Sequence, residues 1–233
     1  MGRFRAVVFD WAGTVIDFGS FAPMGAFVEA LARFGVAITV AQARAPMGLG
    51  KRDHIRALLN DPAVAAGWAA ARGAPPTEAD VDAVYEVFVP MNEAVAARHA
   101  TLVPGAREAV EALRAQGLKI GSTTGYTRSI MREVLPVAAA QGYAPDCVVC
   151  ADEVPEGRPA PFGMYRCFLE LGVYPPSAVI KVDDTEPGIA EGVAAGCVTV
   201  GVTLSGNHAG LTPEELASLP APEVDALRTR IGG

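Results

Sequence analysis

The feature that most constrains the fold is a set of five short apolar runs, rich in β-branched residues and separated by stretches with helical patterning. The runs span Arg5–Asp10, Lys119–Thr123, Cys147–Ala151, Ala178–Asp183 and Cys197–Val202. Near-continuous hydrophobicity in strands that alternate with helices is typical of a parallel sheet covered on both faces. The sequence therefore predicts an α/β fold with a Rossmann-like parallel sheet as its core.

Four further segments, one before the second run and three after it, have the amphipathic spacing of helices. We expect helices over Pro104–Gln116, Arg128–Gln141, Phe162–Leu171 and Glu186–Ala195. Gly117 suits the end of the first of these helices, because glycine readily adopts the left-handed conformation that closes a helix.

The stretch between the first two runs is different, because from about Phe21 to Ala97 it has helical patterning and no convincing strand. Apolar faces are expected on helices over 26–34, 41–46, 52–59 and 78–98. Thr77 and Asp80 fit a capping pair at the start of the last helix.

A helical insertion after the first strand of a parallel sheet is typical of a small cap domain beside a ligand site. We expect a cap domain over 20–97 and a core domain over 1–19 and 98–233. Gly19 and the stretch near Ala97 are the expected hinges, and Asp17 is expected to anchor the first of them rather than to react.

Composition and charge exclude several classes of protein. The chain has 233 residues, a formal net charge of −7 and a pI of about 5.0, which argues against binding to nucleic acid or anionic membranes. No apolar signal segment precedes the first strand, and no apolar run is long enough to span a bilayer. We therefore expect a cytoplasmic protein that binds neither nucleic acid nor membranes.

The four cysteines include a C-x-x-C pair, Cys147 and Cys150, which is compatible with zinc or redox chemistry. However, the pair lies in a segment that is predicted to be a buried strand, and no second pair or nearby histidine completes a metal site. We therefore expect buried, reduced thiols.

Polar side chains follow four of the predicted strands. They are Asp10, Ser122 to Gly125, Gly157 to Pro159, and the adjacent pair Asp183 and Asp184. Each alone suits a helix cap or a turn. Because the carboxyl ends of parallel strands converge, we expect these side chains to share one crevice. A carboxylate there can attack phosphorus or bind a hard cation.

Position 12 restricts the chemistry of this site. An acid two residues after Asp10 could protonate a leaving oxygen, but the chain has Ala12 there. A phosphoryl-transfer site built around Asp10 would therefore lack the usual acid for an alkoxide leaving group.

With these motifs in place, the chain resembles the haloacid dehalogenase superfamily of phosphotransferases, and within it the phosphonatase family. The resemblance rests on Phe9 to Thr14, Phe21 to Pro23, Pro46 to His54, Gly121 to Thr127 and Gly157 to Pro159. The stretch that contains Lys51 is the most specific, because generic phosphatases of the superfamily lack it. The resemblance implies the haloacid dehalogenase fold and hydrolysis of the carbon–phosphorus bond of phosphonoacetaldehyde.

The resemblance also implies a role for each residue that binds or attacks the phosphoryl group. Asp10 would be the nucleophile, and Arg158 would offset charge around the phosphoryl group. Thr124 and the backbone N–H of Gly125 would hold phosphoryl oxygens.

On the cap side, the resemblance implies that Lys51 forms a Schiff base with the substrate aldehyde. His54 and Met47 would line the cap side of the pocket, and Tyr126 would close its edge. Lys51 must be neutral to attack, and its place at a predicted helix start lowers its pKa.

The implied cofactor is Mg²⁺, held by Asp10, the backbone carbonyl of Ala12 and Asp184. Many phosphonatases carry a further aspartate four residues later, where this chain has Gly188. We expect Asp183 to take over the role of that missing acid and to belong to the metal site.

These residues predict a phosphonatase that acts on a small-molecule phosphonate, with a homodimer through the cap as a possible assembly. One alternative is a phosphomonoesterase or sugar-phosphate phosphatase of the same superfamily, which the missing acid at position 12 disfavours. Dehalogenation is disfavoured by the acidic pair, because that chemistry needs no metal. A third alternative is a protein that binds a phosphonate without catalysis.

Overall fold

The computed structural model describes residues 3–228. Its centre is a five-stranded parallel sheet in the order β3-β2-β1-β4-β5. The strands are β1 (Ala6–Phe9), β2 (Lys119–Thr124), β3 (Cys147–Cys150), β4 (Val179–Asp183) and β5 (Val198–Gly201). The predicted α/β architecture is confirmed, and each strand lies within the run that predicted it or extends one residue beyond it.

Helices precede and follow these strands along the chain. They are α1 (Ala22–Ala32), α2 (Val40–Arg44), α3 (Lys51–Asn60), α4 (Pro62–Arg72), α5 (Glu78–Ala96), α6 (Ala106–Ala115), α7 (Arg128–Ala140), α8 (Phe162–Leu171), α9 (Glu186–Ala194), α10 (Pro213–Ser218) and α11 (Ala221–Arg228). The four helices predicted between Pro104 and Ala195, α6 to α9, are confirmed. The sequence analysis did not single out α4, α10 or α11.

Between β1 and β2, helices α1 to α5 pack around a hydrophobic core of their own, which includes Phe27, Leu31, Ile55, Trp68 and Phe88. The capping pair predicted for α5 is present, because the side chains of Thr77 and Asp80 each accept a hydrogen bond from the other residue's backbone N–H. The separate core is what an inserted cap requires, while the domain boundaries at 19/20 and 97/98 stay a prediction.

The first connection between the sheet and α1 has an unusual backbone. Gly19 has a φ of +83°, and Asp17 and Ser20 have φ values of +52° and +55°. Left-handed conformations are costly for residues with a Cβ, so contacts must hold them. The Asp17 carboxylate accepts hydrogen bonds from the backbone N–H groups of Phe21 (3.1 Å) and Ala22 (2.9 Å). Asp17 therefore anchors the start of α1, as the sequence indicated.

The C-x-x-C pair is split between the two faces of the sheet. Cys147 packs in the hydrophobic cluster beneath α8, whereas Cys150 packs in the cluster on the opposite face. Both are free, buried thiols, so the expectation of reduced cysteines is confirmed. Within residues 3–228, no helix combines the length and the apolarity that crossing a membrane requires.

The sheet order decides where the polar strand ends meet. β1 is the central strand, and Phe9 pairs with Ser122 of β2 on one side and Val182 of β4 on the other. The backbone N–H of Asp10 donates to the Val182 carbonyl at 2.9 Å, which continues the ladder by one residue. Asp10 therefore leaves the sheet at the middle of its carboxyl edge.

Candidate active site

Asp10 is buried beneath the cap, with 5% of its surface exposed. Its Oδ1 atom accepts a hydrogen bond from Arg158 Nη1 at 2.8 Å. Burial raises the pKa of Asp10 to about 6, and the negative charge of Asp183 adds to this effect, while Arg158 and Lys181 oppose it. A cation at this site would therefore favour the ionised form of the Asp10 carboxyl.

Arg158 is buried and each of its guanidinium nitrogens is engaged. Besides Asp10, its partners are Glu191 Oε2, which accepts from Nε at 3.0 Å, and the backbone oxygen and Oγ1 of Thr123, which both accept from Nη2 at 2.8 Å. An arginine held on several sides cannot rotate freely, so Nη1 stays aimed at the Asp10 carboxylate.

A group of three carboxylates could hold a metal ion. Asp10, Asp183 and Asp184 each offer an oxygen, and these atoms lie within 4.8 Å of one another. Asp184 is fixed by Thr14 Oγ1, which donates to Oδ1 at 2.9 Å, and by the backbone N–H of Asn207, which donates to Oδ2 at 2.7 Å. Burial raises the pKa of Asp184 well above its ordinary value, with Asp10 and Asp183 adding to the shift. This buried set of hard oxygen donors fits a divalent cation.

The absence of a side chain at Gly188 leaves room for the Asp183 carboxylate. A Cβ atom placed on Gly188 would lie 2.0 Å from Asp183 Oδ2, far inside van der Waals contact. The Asp183 carboxylate thus occupies the space into which a side chain at position 188 would begin to extend. This geometry fits the prediction that Asp183 stands in for an acid at position 188.

The cap contributes Lys51, the first residue of α3, which follows Gly50 at the helix N-cap. Only 4% of Lys51 is exposed, and its Nζ lies 4.9 Å from the ring centre of Tyr126 and 5.7 Å from that of Phe27. Burial lowers the pKa of Lys51 to about 8; Asp10 opposes this shift and Arg158 adds to it. The amine can therefore lose its proton near neutral pH.

His54 lies behind Lys51 in the cap interior, stacked on Phe27 with ring centres 3.9 Å apart. Its Nε2 lies 2.9 Å from the backbone oxygen of Ala43, so Nε2 must carry the proton of the neutral ring. Nδ1 then has a free lone pair, and it has no hydrogen-bond partner among residues 3–228. Burial lowers the pKa of His54 well below its ordinary value, and the Lys51 charge adds to this effect.

Core and cap enclose a chamber of about 20 Å³, roughly the room of one water molecule. Eight of the residues that line it were predicted as site residues from the sequence: Asp10, Ala12, Met47, Lys51, Thr124, Gly125, Tyr126 and Arg158. The structure does not place His54, Asp183 or Asp184 in this lining. Ser20, Pro23, Gly48 and Thr185 complete it and were not predicted as site residues.

Two glycines let the cap loop approach the core closely. A Cβ on Gly48, which has a φ of +96°, would lie 2.3 Å from Thr185 Oγ1. A Cβ on Gly125 would lie 2.6 Å from the backbone oxygen of Leu49. Each position thus excludes any larger residue in this arrangement, and the contacts describe a cap closed over Asp10.

Arg44 of α2 forms hydrogen bonds that connect the cap to the hinge and to the core. Its Nη1 donates to the backbone oxygen of Gly19 at 2.7 Å and to both oxygens of Asn207 at 3.1 Å. Outside this contact, an open cleft of about 840 Å³ runs between cap and core, with Arg44, Met47 and Thr185 among its lining residues. Met47 and Thr185 line the enclosed chamber as well, so they separate it from the cleft.

The sequence analysis missed Lys181 and Glu191, which surround Arg158 behind the chamber together with Thr123 of the predicted strand end. Lys181 Nζ donates to Thr123 Oγ1 at 2.6 Å and lies 3.0 Å from Asp183 Oδ2. A signal was present, because Lys181 and Asp183 are two residues apart in a strand and therefore share a face. Glu191 gave no comparable signal, since its contact with the site depends on how α9 packs.

Comparisons with known proteins identify the family of the chain. The haloacid dehalogenase-like hydrolase family matches residues 4–196. With a parallel sheet, an aspartate at the end of its central strand and a buried acidic cluster beside it, the chain belongs to the haloacid dehalogenase-like hydrolases and has their fold.

Close relatives narrow the assignment. A phosphonoacetaldehyde hydrolase of Paraburkholderia phytofirmans is 53% identical over 99% of this chain and 86% of its own length. One from Pseudomonas aeruginosa is 50% identical over 97% of this chain and 82% of its own length. The crystal structure of a phosphonoacetaldehyde hydrolase-like protein from Oleispira antarctica superposes with a TM-score of 0.95, at 42% identity, and covers 97% of this chain and 82% of that one. Within the superfamily, the chain is an enzyme of the phosphonoacetaldehyde hydrolase family.

Proposed function

We propose that this enzyme hydrolyses the carbon–phosphorus bond of phosphonoacetaldehyde to acetaldehyde and phosphate. The observation that carries the proposal is that one closed chamber contains a buried amine from the cap, Lys51, and a buried carboxylate from the core, Asp10. A generic phosphatase needs the carboxylate but has no use for a lysine that can become neutral.

The first step joins the aldehyde to Lys51. The neutral amine adds to the carbonyl carbon and gives a carbinolamine, and the proton that the nitrogen loses is passed to the oxygen. One further proton from solvent lets the hydroxyl group leave as water, and the nitrogen becomes an iminium. The unprotonated Nδ1 of His54, behind Lys51, is a candidate acceptor for the proton that the amine loses. Met47 and Tyr126 flank the aldehyde and exclude water, since both line the chamber.

The second step breaks the carbon–phosphorus bond. Asp10 attacks phosphorus, and the bonding electrons move into the iminium, which becomes an enamine. Arg158, Thr124 and the backbone N–H of Gly125 hold the phosphoryl oxygens during this step. Mg²⁺, held by Asp10, Asp184, the Ala12 carbonyl and Asp183, would supply electrostatic stabilisation of the phosphoryl group when bound.

Two hydrolyses return the enzyme to its starting state. The enamine takes a proton on carbon and water releases acetaldehyde, which restores the amine of Lys51. Water also cleaves the aspartyl phosphate, which restores Asp10 and gives phosphate. The leaving group is carbon rather than an alkoxide, so the absence of an acid at Ala12 costs the reaction nothing.

The chamber is too small for the substrate in the closed arrangement, so the cap must open to admit it. The contacts of Gly48 and Gly125 lie at the boundary that has to separate. Closure would then bring Lys51 and Asp10 onto the same substrate molecule and exclude bulk water. The predicted homodimer through the cap is retained as part of this proposal.

Turnover and trapping test the proposal together. The enzyme is incubated with phosphonoacetaldehyde and borohydride, and the site of reduction is mapped by mass spectrometry. We expect a two-carbon adduct on Lys51 and release of phosphate in the absence of borohydride. Lys51→Arg should abolish both while it leaves the fold intact, because a guanidinium stays protonated.

The matched control is Lys119→Arg, since Lys119 lies at the opposite end of β2 from the site and should tolerate the change. Hydrolysis of p-nitrophenyl phosphate or sugar phosphates without any Lys51 adduct would instead establish a phosphomonoesterase. Binding of phosphonoacetaldehyde without turnover would establish a non-catalytic binding protein.

A further inference from the structure

Behind Arg158 lies a second pair of charged residues, Lys181 of β4 and Glu191 of α9. Lys181 is fully buried and Glu191 is 2% exposed. Lys181 Nζ lies 3.2 Å from Glu191 Oε2 and 3.0 Å from Asp183 Oδ2. Burying two charges is costly unless both are paired, so this arrangement needs an explanation beyond packing.

The surrounding backbone makes room for the pair. A Cβ on Gly163 of α8 would lie 2.7 Å from Glu191 Oε1, and a Cβ on Gly192 would lie 2.7 Å from Lys181 Cβ. Both charged side chains therefore occupy space that exists only because two neighbouring helices carry glycine. Neither residue lines the closed chamber, so neither can touch the substrate there.

Glu191 fixes the arginine that faces the nucleophile. Its Oε2 accepts from Arg158 Nε at 3.0 Å and from Thr123 Oγ1 at 2.8 Å. Thr123 Oγ1 in turn accepts from Arg158 Nη2 and from Lys181 Nζ. The orientation of Arg158 towards Asp10 is therefore set on the side away from the substrate.

The pair also sets the charge next to the metal-binding carboxylates. The connected buried groups are the carboxylates of Asp10, Asp183, Asp184 and Glu191 and the cations of Arg158 and Lys181. In their charged forms they carry a net charge of two negative units, which one divalent cation balances. Lys181 moreover competes with a metal for Asp183, because its Nζ already lies against Oδ2.

We propose that Lys181 and Glu191 are a positioning pair that has two separable effects. Glu191 holds Arg158 in its productive orientation, and the opposite charges of the pair tune how tightly the acidic cluster binds its divalent cation. The inference goes beyond the proposed reaction but rests on its metal site, not on the identity of the substrate.

The test is the Mg²⁺ affinity of the substrate-free protein, measured by calorimetric titration. Glu191→Gln removes a negative charge and should weaken Mg²⁺ binding by at least about fivefold. Lys181→Met removes a positive charge and frees Asp183, so it should tighten binding by at least about fivefold. A purely structural role would weaken binding in both variants, which would overturn the proposal.

The double variant Glu191→Gln/Lys181→Met distinguishes the effect of net charge on Mg²⁺ affinity from the effect of Arg158 orientation on kcat. It restores the net charge, so its Mg²⁺ affinity should return to within about twofold of the wild type. Its kcat should nevertheless stay at least about tenfold low at saturating Mg²⁺, because the neutral amide of Gln holds Arg158 less firmly than the Glu191 carboxylate does. This variant buries no more net charge than the wild type, so it remains informative if Lys181→Met does not fold; further loss of Mg²⁺ affinity relative to Glu191→Gln would refute charge tuning.

Glu170→Gln is the matched control. Glu170 accepts a hydrogen bond from Arg166 Nε at 2.8 Å, the same contact that Glu191 makes with Arg158, but on the exposed surface of α8. It should change neither Mg²⁺ affinity nor kcat. Because Mg²⁺ titration needs no substrate, a failed turnover assay with phosphonoacetaldehyde would refute the proposed function without deciding this test.

Discussion

The pKa of Lys51 is the quantity on which the proposed chemistry depends most directly. Burial lowers this pKa from 10.5 to about 8. At pH 7 an amine with a pKa of about 8 is neutral in about 9% of molecules, against about 0.03% for a pKa of 10.5, which is a gain of about 300-fold. The shift of about 2.5 units corresponds to about 3 kcal/mol in favour of the neutral amine.

The assay is a ¹³C NMR titration of protein labelled at the lysine Cε atoms. The chain has only three lysines, Lys51, Lys119 and Lys181, so the spectrum holds three signals and Lys51→Met assigns the relevant one. We expect the Lys51 signal to titrate with a midpoint near 8. A midpoint at or above 10 would show that the amine is not activated by its surroundings, and the Schiff-base proposal would lose its physical basis.

The lowered pKa of Lys51 also predicts the direction in which two quantities change: the free energy of unfolding with pH, and the NMR midpoint with Mg²⁺. The unfolded chain keeps the Lys51 proton up to about pH 10.5, whereas the folded chain releases it near pH 8. Between those values the unfolded state binds more protons, so the Lys51 contribution to the free energy of unfolding should rise with pH. Added Mg²⁺ should lower the NMR midpoint of Lys51 further. A cation at Asp10 offsets the negative charge of Asp10, which otherwise raises the pKa of Lys51.

Three substitutions extend the test to other parts of the site. Asp10→Asn should abolish phosphate release yet preserve borohydride trapping at Lys51, because only the second step needs the carboxylate; loss of both activities would contradict the separation of steps. Gly125→Ala places a methyl group 2.6 Å from the Leu49 carbonyl, so the closed cap should lose about 1–3 kcal/mol, seen as a raised KM. Arg44→Ala removes hydrogen bonds between cap, hinge and core and should raise KM about tenfold with little change in kcat, measured by steady-state kinetics.

The sequence predicted the sheet well because its strands are buried on both faces. Such strands read as continuous apolar runs, and Ala6–Phe9 and Cys147–Cys150 lie inside the predicted runs. The cap was harder, because α4 (Pro62–Arg72) is rich in alanine and buries mainly Val64 and Trp68. With so few large apolar residues, its helical period gives little contrast between a buried and an exposed face.

The position of a candidate-site residue was predictable where one short segment defines it. Asp10 follows a strand directly, and Lys51 lies in a distinctive stretch of the cap, so local sequence located both. Thr123, Lys181 and Glu191 belong to three elements that meet only in the folded protein. Their contacts around Arg158 depend on how the helices pack and on glycines that leave room for the side chains. No local sequence motif indicates that these residues come together.

The two halves of the proposed reaction place opposite electrostatic demands on one small chamber. Lys51 must be neutral when it attacks, but the iminium that it forms is a cation and must accept the electrons of the carbon–phosphorus bond. A phosphonate group beside Lys51 would by itself raise the pKa of the amine and delay the first step. Arg158 and a divalent cation at the acidic cluster would offset that charge, so that substrate binding leaves Lys51 able to react.

It follows that the groups around phosphorus also control chemistry at nitrogen. Arg158 already contributes to the lowered pKa of Lys51, whereas Asp10 opposes it. A change that weakens the cations near Asp10 should therefore slow formation of the Schiff base as well as cleavage of the carbon–phosphorus bond. For this reason, Glu191→Gln at limiting Mg²⁺ should slow borohydride trapping at Lys51, and saturating Mg²⁺ should restore the trapping rate even though kcat stays low.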